Sequence, residues 1–190
     1  MLQIPRNDRL YRVLCNLVAG SRSWRDGIAL TLILSIVAVA GVLAYRHLES
    51  APTLSPTGLE LAHLDGHGAA RLSDWNGTPL VVNLFASWCP ACIGEMPAFE
   101  RASHTYSGRL AVVGVDSQDS QPAGLRLAHE TGVTYTLLSD TKNADLYRLL
   151  QGDGMPVTAF ITPKGSVARV YSGELDEHLL QQLIDQLLKT

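Results

Sequence analysis

The sequence predicts an α/β domain: a central mixed β-sheet flanked by helices on both faces, opened by an N-terminal hairpin and preceded by a transmembrane helix. Three observations carry this. Between residues 59 and 190 short apolar runs of strand length alternate with segments of helical spacing, the pattern of a layered sheet. The chain closes on two strand-like runs across a tight turn, followed by a helix with one apolar stripe. Ahead of this domain, residues 27–45 (GIALTLILSIVAVAGVLAY) carry no charge. At about 1.5 Å per helical residue they reach roughly 28 Å, close to the ~30 Å hydrocarbon core of a bilayer.

Residues 1–26 form a basic head, with Arg6, Arg9, Arg12, Arg22 and Arg25 against Asp8 and Asp26. Only Arg46 and His47 closely follow the apolar run, so the positive-inside rule places residues 1–26 in the cytoplasm and the rest outside. The expected location is therefore a bacterial inner membrane, crossed once, with the main domain periplasmic. Ala38-Val39-Ala40 before Gly41 also fits a signal-peptidase site. The long basic head and the apolar residues beyond that site favour an uncleaved anchor. Residues 46–58, including ESAPTLSPTG, are rich in Pro, Ser and Thr and read as a linker, so the folded domain is expected over 59–190. Residues 51–190 hold nine Lys/Arg against fifteen Asp/Glu, an acidic balance that excludes a nucleic-acid partner.

Within the domain, LELAHL and AARLSDW flank Asp65-Gly66 and read as the hairpin, and Leu80–Ala86 (LVVNLFA) as a buried strand. A helix is expected to start in the run Trp88-Cys89-Pro90-Ala91-Cys92. Pro90 suits the first helical position, where its missing N–H would have no partner, and Cys89 then becomes the N-cap. Pro97 is expected to kink that helix. Further strands are expected at 110–115, 135–138, 157–162 and 167–171, with helices at 124–131 and 143–150. The last two strands pair across Pro163-Lys164-Gly165. The helix from Asp176 to Lys189 places Leu179, Leu180, Leu183, Ile184, Leu187 and Leu188 on one stripe.

The chemistry is expected at the cysteine pair. An ordinary thiol, with a pKa of about 8.5, is only a few per cent thiolate at pH 7, and the thiolate is the attacking species. At a helix N-terminus the Cys89 sulfur meets unpaired N–H groups and the positive end of the helix dipole, which favour the anion. Cys92, one turn further in, is more shielded. Cys89 is thus expected to attack a partner disulfide and Cys92 to resolve the mixed disulfide. A four-cysteine zinc site would need a second pair, and the remaining cysteine, Cys15, lies across the predicted membrane, so no metal or cofactor is assigned.

WCPACIGEMP, preceded by LVVNLFAS and followed some sixty residues later by GMPVTAFITPKG, resembles the TlpA/ResA/DsbE branch of the thioredoxin superfamily over about residues 57–190. The resemblance implies a thioredoxin-like fold, a membrane anchor, and a cis peptide bond at Met155-Pro156 packed against the cysteines. It implies that Met155 and Trp88 contribute to substrate binding. It places at Glu95 an active-site acid, which one turn after Cys92 is suited to take the resolving thiol's proton. Ordinary thioredoxins carry an acid six residues before the first cysteine. Here that residue is Asn83, expected as a hydrogen-bonding core residue.

The function these features predict is an extracytoplasmic thiol:disulfide oxidoreductase that reduces exported clients, for example in cytochrome c or metalloprotein assembly. Its electrons would come from a membrane donor. The alternative is a Cu(I)-binding metallochaperone using the same two sulfurs. His63 and His67 on the hairpin read as surface histidines, and His104 and His129 as helix-face residues. The acidic groups Asp116/Asp119 and Glu174/Asp176/Glu177 read as solvated loops and helix starts.

Overall fold

A computed structural model of the chain describes residues 34–41, 55–140 and 143–190. The chain divides into two units, Met1–Thr53 and Leu54–Thr190. In the first, residues 34–41 are helical and exposed. The rest of the predicted anchor, the basic head and Cys15 lie outside the described residues. Among the described residues no helix is long and apolar enough to cross a membrane.

The second unit is built on one seven-stranded sheet. Its strands are β1 (Glu60–His63), β2 (Ala69–Arg71), β3 (Leu80–Phe85), β4 (Ala111–Ser117), β5 (Thr136–Asp140), β6 (Val157–Ile161) and β7 (Val167–Ser172), in the spatial order β2-β1-β5-β4-β3-β6-β7. The central strands β3, β4 and β5 are parallel; the outer pairings are antiparallel. Every residue of β3 is buried, which explains why all but Asn83 are apolar: a central strand covered on both faces has no solvent-facing side. Among the described residues of this unit the α-helices are α1 (Pro90–Thr105), α2 (Gln121–Thr131), α3 (Asp145–Leu149) and α4 (Glu177–Leu187).

The expected mixed sheet is present, but its faces are covered unequally. On one face Val81, Val112, Tyr135 and Phe160 pack against Phe99 of α1 and against Leu180, Leu183, Ile184 and Leu187, the stripe of α4. On the other, Leu80, Val82, Leu84, Val113, Val115 and Val157 pack against Leu146 of the short α3 and against Leu72 of a 3-10 turn. The hairpin is shorter than its sequence pattern. β2 ends at Arg71, and Leu72–Trp75 turns into a 3-10 helix begun by the Asp74 carboxylate accepting the Arg71 N–H at 2.8 Å. Serine and aspartate after Leu72 favour such local bonds over a ladder. β4 and β5 each run two residues beyond the expected ends, to Ser117 and Asp140, and polar residues close both. Helix α1 continues through Pro97 to Thr105.

Candidate functional site

Cys89 caps α1 from an extended backbone, and its Sγ accepts the Cys92 N–H at 3.1 Å. The N-cap sulfur therefore stands at a helix terminus with Pro90 in the first turn, where N–H groups have no helical partner. Cys89 and Cys92 are joined as a disulfide, their Cα atoms 5.3 Å apart. Cys89 retains 4% exposure and Cys92 none, so the first sulfur is the one a partner can approach. Both pack in a cluster with Leu64, Phe85, Ala86, Met96 and Leu127, with Met155 against it. Met155-Pro156 is cis, and Pro156 is buried.

Trp88 immediately precedes Cys89 in the chain. It is 57% exposed, and its indole Nε1 donates to the Gln118 carbonyl at 3.0 Å. Ile93, 40% exposed, lies in the first turn of α1, so an apolar side chain faces solvent on each side of Cys89 in the chain.

Glu95 is 2% exposed. Oε1 accepts from Asn83 Nδ2 at 2.7 Å, and Oε2 accepts the Leu175 N–H at 2.8 Å. Burial pushes the Glu95 carboxyl up to about 7, outweighing those two donors, and the nearby Glu174 charge adds to the rise. The acid is thus poised between its two forms at neutral pH, one helical turn from Cys92. Asn83 fills the core role expected of it. Leu175, which follows β7, was not legible as a partner because its contribution is a peptide N–H.

Asp116, unlike Asp119, is not a solvated loop residue. Asp116 is fully buried near the end of β4, beside Phe85 of β3 in the sheet register, and both its carboxylate oxygens lack hydrogen-bond partners. The strand runs two residues further than its apolar pattern, carrying this acid into the interior. Burial, with the Asp119 charge, pushes its carboxyl up to about 7. Asp119 does the opposite: Oδ2 accepts the Ser87 N–H at 2.6 Å and Oδ1 the Ser120 N–H at 2.7 Å, and these bonds hold it below the ordinary range despite partial burial. Together with the Trp88 indole bond, Asp119 ties the loop ahead of Cys89 to the turn ahead of α2.

Two predictions arise here. A Cβ at Gly124 of α2 would fall 2.3 Å from Asp116 Oδ2, so Gly124→Ala is expected to destabilise the domain by about 1–3 kcal/mol in chemical denaturation. Folded, Asp116 holds its proton to about pH 7; unfolded, it releases it near 3.8. Between those values the native state binds more protons, so stability falls as pH rises. Asp116→Asn is expected to flatten that fall and to raise stability at pH 8 by roughly 1–3 kcal/mol, measured by denaturation at pH 5 and pH 8.

His63 ends β1 half-buried and His67 is exposed in the turn, where its N–H donates to Asp65 Oδ1. His104 is exposed on α1 and bonds Glu100 at 2.8 Å. Asp176 caps α4 by accepting the Leu179 N–H. Among the described residues no group of three or more His, Cys, Asp or Glu side chains is arranged to hold a metal ion.

Residues 51–170 match the model of the AhpC/TSA family. The chain is 30% identical over 121 residues to the thioredoxin-like protein YneN of Bacillus subtilis, covering 61% of this chain and 69% of that protein. It is 26% identical over 180 residues to the thiol:disulfide interchange protein DsbE of Escherichia coli K12, covering 80% and 88%, and 26% identical over 118 residues to the thiol-disulfide oxidoreductase ResA of Oceanobacillus iheyensis, covering 62% and 61%. Among solved structures, MTB DsbF superposes with a TM-score of 0.64 at 27% identity, covering 70% of this chain and 96% of that one. The family match, the named relatives and the shared fold agree on one chemistry, and the chain belongs to the AhpC/TSA family as a thioredoxin-fold thiol:disulfide oxidoreductase of the DsbE/ResA type.

Proposed function

We propose that the chain, anchored by residues 27–45, reduces disulfides of exported proteins outside the cytoplasm through Cys89 and Cys92, with Glu95 as its proton acceptor. The observation that carries this reading is the buried Glu95 carboxyl one helical turn beyond Cys92, on the helix that the Cys89 sulfur caps. In the reduced protein the Cys89 thiolate attacks a client disulfide and one client sulfur leaves as a thiolate. Cys92 then gives its proton to Glu95 and attacks Cys89, which releases the second client thiolate and forms the Cys89–Cys92 bond. Two electrons pass to the client, whose thiolates take protons from water. A donor dithiol in or at the membrane returns the electrons, and Glu95 returns its proton to Cys92.

Exposed Trp88 and Ile93, with Met155 ahead of β6, supply the apolar surface for an extended client segment. The uncharged run at 27–45 and the arginine-rich head support anchoring with the domain periplasmic. Assembly of cytochrome c or other metalloproteins is the setting proposed for this exchange.

The test is a Cys92→Ala variant expressed in full length. It is expected to accumulate client proteins on Cys89 as mixed disulfides, identified after membrane isolation; no adducts under oxidising growth would defeat the exchange mechanism. The Cu(I)-binding alternative uses the same sulfurs and predicts tight Cu(I) uptake by the reduced protein with no turnover of a model disulfide.

A further inference from the structure

Asn83 lies fully buried in the middle of β3, between Gly114 of β4 and Thr158 of β6 in the sheet register. Its Nδ2 donates to Glu95 Oε1 at 2.7 Å and to Thr158 Oγ1 at 3.4 Å. Its Oδ1 is buried with no partner. A side-chain amide has both donors and an acceptor oxygen, and here only the donor end is used.

Both oxygens of Glu95 face N–H donors, an arrangement suited to the carboxylate. Once protonated, the same group carries an O–H that needs an acceptor. The Leu175 N–H beside Oε2 cannot accept, so the proton belongs on Oε1, toward Asn83. A half-turn about χ2, a soft two-fold torsion in asparagine, exchanges Nδ2 for Oδ1 and supplies that acceptor. The Thr158 hydroxyl both accepts and donates, so it bonds the amide in either orientation. No hydrogen bond is broken at the far end, because Oδ1 makes none, but the turned Nδ2 leaves its N–H groups buried there without an acceptor. The bond from the protonated Glu95 has to outweigh that cost, so the orientation follows the protonation state of Glu95.

We propose that Asn83 is a positioning residue whose amide turns over as Glu95 gains and loses the proton it exchanges with Cys92, Nδ2 facing the carboxylate and Oδ1 facing the acid. This deepens the reading of Glu95 as proton acceptor and rests on it. When Cys92 Sγ–H passes its proton to Glu95 Oε1, the sulfur's electron pair goes to Cys89 and the amide follows the proton; Asn83 itself exchanges no atom. The titratable groups around the pair are Cys92 on α1, Glu174 after β7, and Tyr135 ahead of β5, whose hydroxyl feels the Glu95 charge. The register neighbours from β4 and β6, Gly114 and Thr158, carry no charge.

The experiment follows the Asn83 side-chain amide and the Glu95 carboxyl carbon by NMR across about pH 5 to 9, in the reduced full-length protein in detergent micelles. Both signals are expected to move with one midpoint. Asn83→Asp, which offers oxygens alone and adds a second carboxyl, is expected to raise the Glu95 midpoint by about one pH unit or more; Asn83→Leu, which removes donor and acceptor together, is expected to move it clearly less. An amide signal that stays constant while Glu95 titrates would overturn the proposal, as would equal shifts in the two variants. The first readout uses the native chain and needs neither variant to fold. Turnover in a Glu95→Gln variant is read separately. If it is unchanged, the proton-acceptor reading fails; if it is slowed while the Asn83 signal stays constant, only the amide's part fails.

Discussion

Replacing either Cys89 or Cys92 with alanine is expected to reduce catalytic turnover of a model disulfide by on the order of a thousandfold or more, because each is a covalent participant rather than a neighbour of the reaction. The two variants differ in how they fail. Cys92→Ala keeps the N-cap sulfur and its helix-terminus environment, so it still attacks once and stops at the mixed disulfide. Cys89→Ala leaves at the site a sulfur with no exposed surface, and neither an adduct on Cys92 nor turnover is expected. Mass spectrometry after incubation with a small aromatic disulfide separates the two outcomes. An adduct on Cys92 in Cys89→Ala, with none on Cys89 in Cys92→Ala, would reverse the assigned order of attack.

Glu95→Gln carries the next largest effect. In the native protein the resolving step is expected to accelerate as pH rises through about 7, since only ionised Glu95 can take the Cys92 proton. Glutamine cannot take it, so the step must await ionisation of the thiol, near 8.5 or higher for a buried one. A fall of about 10- to 100-fold at pH 7 is expected, with the rise displaced to higher pH. Stopped-flow release of a chromogenic thiol across that range measures both. A rate and pH profile unchanged from the native protein would remove Glu95 from the mechanism. The same substitution also tests stability. The Glu95 carboxyl is raised in the folded state, so its ionisation lowers stability as pH climbs from the ordinary carboxylate range toward 7, and glutamine is expected to flatten that dependence.

The cysteine pair was legible because its environment is local: a proline at the first helical position and a cap one residue before it are properties of adjacent residues. Asp116 was misread for a related reason. Acids near a strand end are usually solvated, and burial at that position comes from α2 packing across it, with Gly124 leaving room for the carboxylate. Trp88 stands beside Cys89 in the sequence itself, but the carbonyl that accepts its indole N–H lies thirty residues away, a partner that only folding supplies.

From residue order alone came the α/β class, the central strand β3, the helix that begins at Cys89, the stripe of α4 and the candidate acid Glu95. All of these follow from periodicity, capping or matched motifs, which act over a few residues or recur as a fixed spacing. The hydrogen bonds that set the chemistry came only with the folded chain. Glu95 is poised near neutrality because α1, β3 and the segment after β7 converge on it, bringing Asn83 and the Leu175 N–H to a carboxyl that burial destabilises as an anion. Those groups lie 12 and 80 positions from Glu95 in the chain, and no local pattern encodes a meeting made by sheet register and helix packing.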